Sequence, residues 1–328
     1  MPHVAAGPVH FDVFRADADG ICALQQLRLA RPHAAVIVGG RRDEAGLLDK
    51  VRPRRGDTAT VLGLPLEGSG AAVQHLLDAG VAVSWFDHRP PARPLRHPLL
   101  RATLDPAPGA CTSAIVDAWL SGRFRAWAAV GAFGAGLDDT GRTLAKSAGC
   151  GSDEDVRRLR QLAQALDYDA NGECEADVLV RPPTLVAGMR GHEDPLAFLR
   201  DADLPRLLAA HRTDDLRLAR ATSPHTSGRD GVVYVLPDGG WSRRVHGVFA
   251  DELAQREPER AHVVMAPAVG ALAVSVRAPH AWPFGAGDLC RRFGGSGDER
   301  AGRIARLHVP DLGAFVGAFL RAFDSEEQ

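Results

Sequence analysis

In the N-terminal third of the chain, short apolar runs alternate with longer stretches of helical period. "VHFDVF" (9–14) reads as a strand that stops at "RADADG". "GICALQQLRLA" (20–30) then places Ile21, Leu24, Leu27 and Leu29 near a helical repeat. "AAVIVGG" (34–40) and "TATVLGL" (58–64) are buried-type strands, and "SGAAVQHLLDAG" (69–80) is a helix closed by glycine. "VAVSWFDHR" (81–89) follows as a strand with Asp87 and His88 at its end. This βαββαβ rhythm predicts an α/β fold with a doubly wound, mainly parallel sheet.

Residues 112–166 read as mostly helical, and a long helix near 204–221 leads into the joint "TSPHTSGRDG". Strand patterns then resume at 232–236, 261–266 and 272–278, followed by the glycine-rich "FGGSGDERAG" (293–302) and a last helix. The expected organisation is a first domain over 1–203, a linker helix and joint over 204–230, and a smaller α/β domain over 231–328 across a cleft.

Composition narrows the function classes. The 39 basic and 41 acidic residues nearly balance, which argues against long duplex nucleic acid held by its phosphates. The five cysteines have no paired spacing, against both a zinc site and a disulfide framework. The opening residues lack a basic head and apolar core, and no stretch is apolar enough to span a membrane. A cytoplasmic protein without membrane attachment is the expectation.

The chemistry concentrates where the strand pattern ends. Ligands of doubly wound sheets bind outside the carboxyl ends of the strands, and Arg15, Asp17, Asp19, Asp87, His88 and Arg89 all fall there. The aspartates also suit a polar turn and the positive end of a helix.

Four segments in register, "DADG", "FDHR", "CTSAIV" and "FGGSGDERAG", resemble the DHH phosphoesterase superfamily with its C-terminal DHHA1 domain. The resemblance spans nearly the whole chain. It implies metal-assisted phosphoester hydrolysis on small nucleotides or short oligonucleotides, with two divalent cations clamping a phosphoryl group. It makes Asp17, Asp19 and His88 metal ligands, with Asp87 orienting His88 in the catalytic pair. Arg15, Arg89, Arg244, Arg277, Gly294, Gly295, Ser296, Gly297 and Arg300 become phosphate-binding candidates, the glycines as a backbone anion nest.

The departures from the family are specific. Its second "DHH" histidine is Arg89, and Arg15 stands two residues before the first aspartate. Its bridging aspartate falls at about Gly63 and a further one at about Ala135, while Asp298 and Glu299 interrupt the late glycine turn. Glu67, Asp138 and Asp139 are possible replacements. At most one Mn²⁺ (or Mg²⁺) is therefore expected. Two readings stay open: a depleted phosphoesterase, and a non-catalytic descendant binding a phosphorylated ligand or protein partner through Arg15 and Arg89. A homodimer is compatible with either.

Overall fold

The structure, a computed structural model, describes residues 7–42 and 44–323; the opening residues 1–6 lie outside them. Their elements, in chain order, are β1 (His10–Arg15), α1 (Ala18–Ala30), β2 (Val36–Gly40), β3 (Thr58–Leu62), α2 (Gly70–Asp78), β4 (Ala82–Asp87) and β5 (Leu100–Leu104). A helical run follows: α3 (Thr112–Trp119), α4 (Arg125–Gly134), α5 (Asp138–Ser147), α6 (Asp153–Asp169), α7 (Pro182–Met189), α8 (Pro195–Asp201) and α9 (Asp203–Arg220). The remainder is β6 (Thr226–Ser227), β7 (Gly231–Val235), α10 (Gly240–Arg256), β8 (Ala261–Ala268), β9 (Ala271–Arg277), α11 (Ala286–Arg292), β10 (Ser296–Gly297), β11 (Ala301–His308) and α12 (Leu312–Ala322).

The chain divides into two compact units, one made of the residues up to Ala170 with Leu179–Ala209, the other of Asn171–Val178 with the residues from Ala210 on. In the first unit five strands run in the order β2-β1-β3-β4-β5, every pairing parallel. Successive side chains of β1 enter opposite cores. Phe11 and Val13 pack with Val61, Val83, Trp85 and the α2 residues Val73, Leu76 and Leu77. Phe14 packs on the other face with Ile21 and Leu24 of α1 and with Trp127 and Leu162. Burial on both faces explains why these strands read as near-continuous apolar runs. The fifth strand escapes the sequence pattern because it is a sheet edge: Arg101 and Ala102 are exposed in "LRATL".

From β1 the chain moves outward to β2 on one side and then returns to β3 on the other. The carboxyl ends of β1 and β3 therefore flank a topological switch point, the position where such sheets open a crevice.

The second unit is a six-stranded mixed sheet, β10-β11-β9-β8-β7-β6, with β7 and β8 parallel and the other pairs antiparallel. Its core joins Val233, Val263, Val274, Val276 and Ile304 to Phe315 and Phe319 of α12.

Candidate functional site

The turn "RADADG" links β1 to α1, and its residue types follow from the geometry. Asp17 is the N-cap of α1: its Oδ1 accepts the Gly20 N–H at 2.9 Å. Gly20 is required because a Cβ there would sit 2.0 Å from the Arg15 carbonyl oxygen. The other oxygen of Asp17 pairs with Arg15 Nε. Asp19 turns the opposite way and receives the first amides of α3, Ser113 N–H on Oδ1 at 2.7 Å and Thr112 N–H on Oδ2 at 2.9 Å. Both aspartates are 2% exposed.

At the end of β4, Asp87 is fully buried and holds Arg89. Its Oδ1 accepts the Arg89 backbone N–H at 2.7 Å and Nε at 2.9 Å, and its Oδ2 accepts Nη2 at 2.7 Å. Nη2 also donates to the Gly63 carbonyl at 2.8 Å, tying the ends of β3 and β4 together. Burial pulls the Arg89 pKa down, but Asp87, with Asp17 and Asp19 beyond it, outweighs burial and raises it above its ordinary value. The three aspartates thus act on one guanidinium.

Gly63 has a left-handed φ of 68°. A Cβ placed there would lie 3.5 Å from Thr112 Oγ1 and 3.8 Å from Arg15 Cβ, in ordinary van der Waals contact with residues of the cluster. Thr112 Oγ1 and His88 Nδ1 are buried with no hydrogen-bond partner among the described residues.

Asp167, at the end of α6, belongs to the same neighbourhood and was not signalled by any motif. Its Oδ1 accepts the Ala18 N–H at 2.9 Å and its Oδ2 pairs with Arg42 at 2.8 Å. Burial raises its pKa; Arg42 opposes the shift and Asp17 adds to it. The thiols of Cys22 and Cys111 are pushed up by burial and then by Asp19, which keeps them protonated and non-nucleophilic. Cys111 is the buried residue preceding α3.

The candidate replacement carboxylates are engaged elsewhere or open to solvent. Glu67 accepts the Ala92 N–H at 3.0 Å on the surface, Asp138 pairs with Arg142 and Arg160, and Asp139 is exposed. Ala135 caps the end of α4 and brings no carboxylate. Paired as they are, these residues do not fit a two-cation centre: guanidiniums already sit on Asp17 and Asp87, and both oxygens of Asp19 accept α3 amides.

In the second unit, Arg244 is buried, forking onto Asp215 Oδ2 (2.7 and 3.1 Å) and donating to the Asp177 carbonyl at 2.7 Å. Arg277 pairs with Asp251 at 2.6 Å. The glycine turn is a closed hairpin. The amides of Gly294 and Gly295 donate to the carbonyls of Arg291 and Cys290, and Ser296 and Gly297 pair with Arg303 and Gly302. Arg300 is exposed, and its guanidinium has no partner among the described residues.

No protein-family model matches this chain, and no curated protein matches it either. Solved structures do. A DHH-domain member of the s1p family of ribosomal proteins superposes with a TM-score of 0.61 at 14% identity over 96% of this chain and 86% of its own. RecJ from Thermus thermophilus, in complex with Mn²⁺, gives 0.58 at 17% identity, and this chain spans about half of it (95% against 51%). PggH of Vibrio cholerae, a pGpG-specific phosphodiesterase, gives 0.53 at 12% identity with 97% and 99% coverage. The chain shares the two-sheet α/β fold of these DHH-domain structures.

Proposed function

We propose that this protein recognises a small phosphorylated ligand, a nucleotide or short oligonucleotide, with Arg15 and Arg89 carrying the positive charge that paired cations carry in a two-metal site. The observation behind this reading is the pairing at the strand ends. Asp17 is matched by Arg15 and Asp87 by Arg89, while both oxygens of Asp19 receive α3 amides. Two dications would add a total charge of four beside two guanidiniums. Even a pair of unit like charges 4 Å apart costs about 4 kcal/mol at an effective dielectric near 20.

The same guanidiniums retain donors for a ligand. Neither the Nη groups of Arg15 nor Nη1 of Arg89 has a protein partner among the described residues. Guanidinium forks suit phosphate oxygens, and the unpartnered Thr112 hydroxyl beside Gly63 adds a neutral donor. A second reading, weak hydrolysis with one divalent ion on Asp17, Asp19 and His88, draws on the unpartnered His88 Nδ1.

Calorimetric titration with a 5′-phosphorylated dinucleotide, with and without Mn²⁺, separates the two. Metal-independent binding that weakens in Arg15→Asn, without turnover, is expected. Two tightly held manganese ions per chain with phosphodiesterase turnover would overturn the proposal.

A further inference from the structure

Asp12 lies in the middle of β1 and is fully buried, an expensive place for a carboxylate unless a cation is at hand. Three side chains surround it at the amino end of the strand, away from the Asp17 turn. His10, two residues earlier on the same strand face, has Nε2 3.2 Å from Asp12 Oδ1 and Nδ1 2.6 Å from Thr58 Oγ1. His33, exposed just past the end of α1, packs edge-on against His10 with ring centroids 4.4 Å apart. Ligand atoms of His10, Asp12 and His33 all lie within 4.8 Å of one another.

One cation is already in contact with all three. Arg28, in the last turn of α1, donates Nε and Nη2 to the two oxygens of Asp12 at 2.9 and 2.7 Å. Its Nη1 lies 2.7 Å from His33 Nδ1 and its Nη2 3.5 Å from His10 Nε2. A guanidinium can only donate, whereas the Arg31 carbonyl, 3.1 Å from the same His33 nitrogen, can only accept. The ring's tautomer sets which of the two His33 serves, and the neutral form with its lone pair on Nδ1 is the one that can ligate a metal. The three ligand atoms converge on one place, where the Arg28 guanidinium stands, with the Thr60 hydroxyl also 3.0 Å from His10 Nε2.

We propose that His10, Asp12 and His33 form a second cation site, separate from the Asp17 cluster, for a divalent transition metal, with Arg28 as its resident competitor. Two imidazoles and one carboxylate suit zinc, nickel or copper over magnesium or calcium. Arg28 is a long, partly exposed side chain at a helix end, with the Arg31 carbonyl as an alternative partner at 3.3 Å. Metal entry through the exposed His33 side would displace it towards solvent.

The test uses Zn²⁺ and Cu²⁺ salts as probes on the full chain. Wild type is expected to bind one Zn²⁺ per chain, and His33→Ala, a surface change, is expected to weaken it at least tenfold. Arg28→Met removes the competitor and should tighten it at least tenfold. Because this variant leaves Asp12 without its cation, it is refolded with and without Zn²⁺, and Zn²⁺-dependent recovery of the folded state also supports the site. Copper bound to wild type should show imidazole nitrogen couplings that diminish in His33→Ala. Absence of a His33-dependent site in both wild type and Arg28→Met overturns the proposal.

Discussion

Arg89 folds back onto Asp87, two residues before it, through its backbone amide, Nε and Nη2, and carries Nη2 on to the Gly63 carbonyl. Arg89 is thus a fixed cation that staples the ends of β3 and β4.

This geometry makes Arg89→Lys informative. A lysine keeps the charge but cannot fork onto Asp87 while also reaching Gly63. We expect phosphate-ligand affinity to fall by about 1.5–3 kcal/mol, the scale of one charged hydrogen bond. Titration with a 5′-phosphorylated dinucleotide measures it. Unchanged affinity would remove Arg89 from the ligand site.

Gly63 is where a carboxylate can be added. A Cβ there makes only ordinary van der Waals contacts, and aspartate is among the residues that tolerate a left-handed backbone, at a cost of about 1–2 kcal/mol. The triple change Gly63→Asp, Arg15→Asn, Arg89→His adds a carboxylate beside the cluster and removes both guanidiniums. Manganese binding, by elemental analysis and calorimetry, is expected in the triple variant and much weaker in Gly63→Asp alone. Equal metal uptake by both proteins would show that the arginines do not oppose cations.

Asp19 is predicted to be structural as well as polar. Asp19→Ala leaves the buried Thr112 and Ser113 amides without their acceptor. The expected loss is about 2–6 kcal/mol, from roughly 1–3 kcal/mol for each of the two unsatisfied buried amides. Urea unfolding without added metal checks it. A loss seen only in the presence of Mn²⁺ would instead make Asp19 a metal ligand.

The second unit should carry an acid-sensitive clamp. Burial pushes the Asp177 carboxyl up, but Arg243 (2.9 Å through both Nε and Nη2) and the Glu173 and Cys174 amides outweigh it, holding the pKa at about 2 against 3.8. A depressed carboxyl pKa stabilises the folded state above the ordinary value, and that stability disappears as pH falls through the folded one. Stability of the wild type should therefore drop between about pH 4 and pH 2. Asp177→Asn should show a shallower fall over that window, followed by circular dichroism. Parallel acid curves for the two proteins would contradict this.

The sequence by itself determined the parallel sheet, because strands buried on both faces must be apolar throughout and their helical crossovers carry a 3.6-residue period. It also placed Arg15, Asp17, Asp19, Asp87 and Arg89 at or just past strand ends. Only the tertiary structure decided who pairs with whom. Asp19 reaches amides more than ninety residues away in α3, Asp167 arrives from the end of α6, and His33 meets His10 because α1 doubles back along β1. The exposed edge β5 and the α11 carbonyls that engage the Gly294 and Gly295 amides were likewise hidden. Periodicity records which face of an element is buried. Hydrogen-bond partners and ion pairs depend on three-dimensional closure, and a residue's type does not encode which distant amide or guanidinium that closure brings to it.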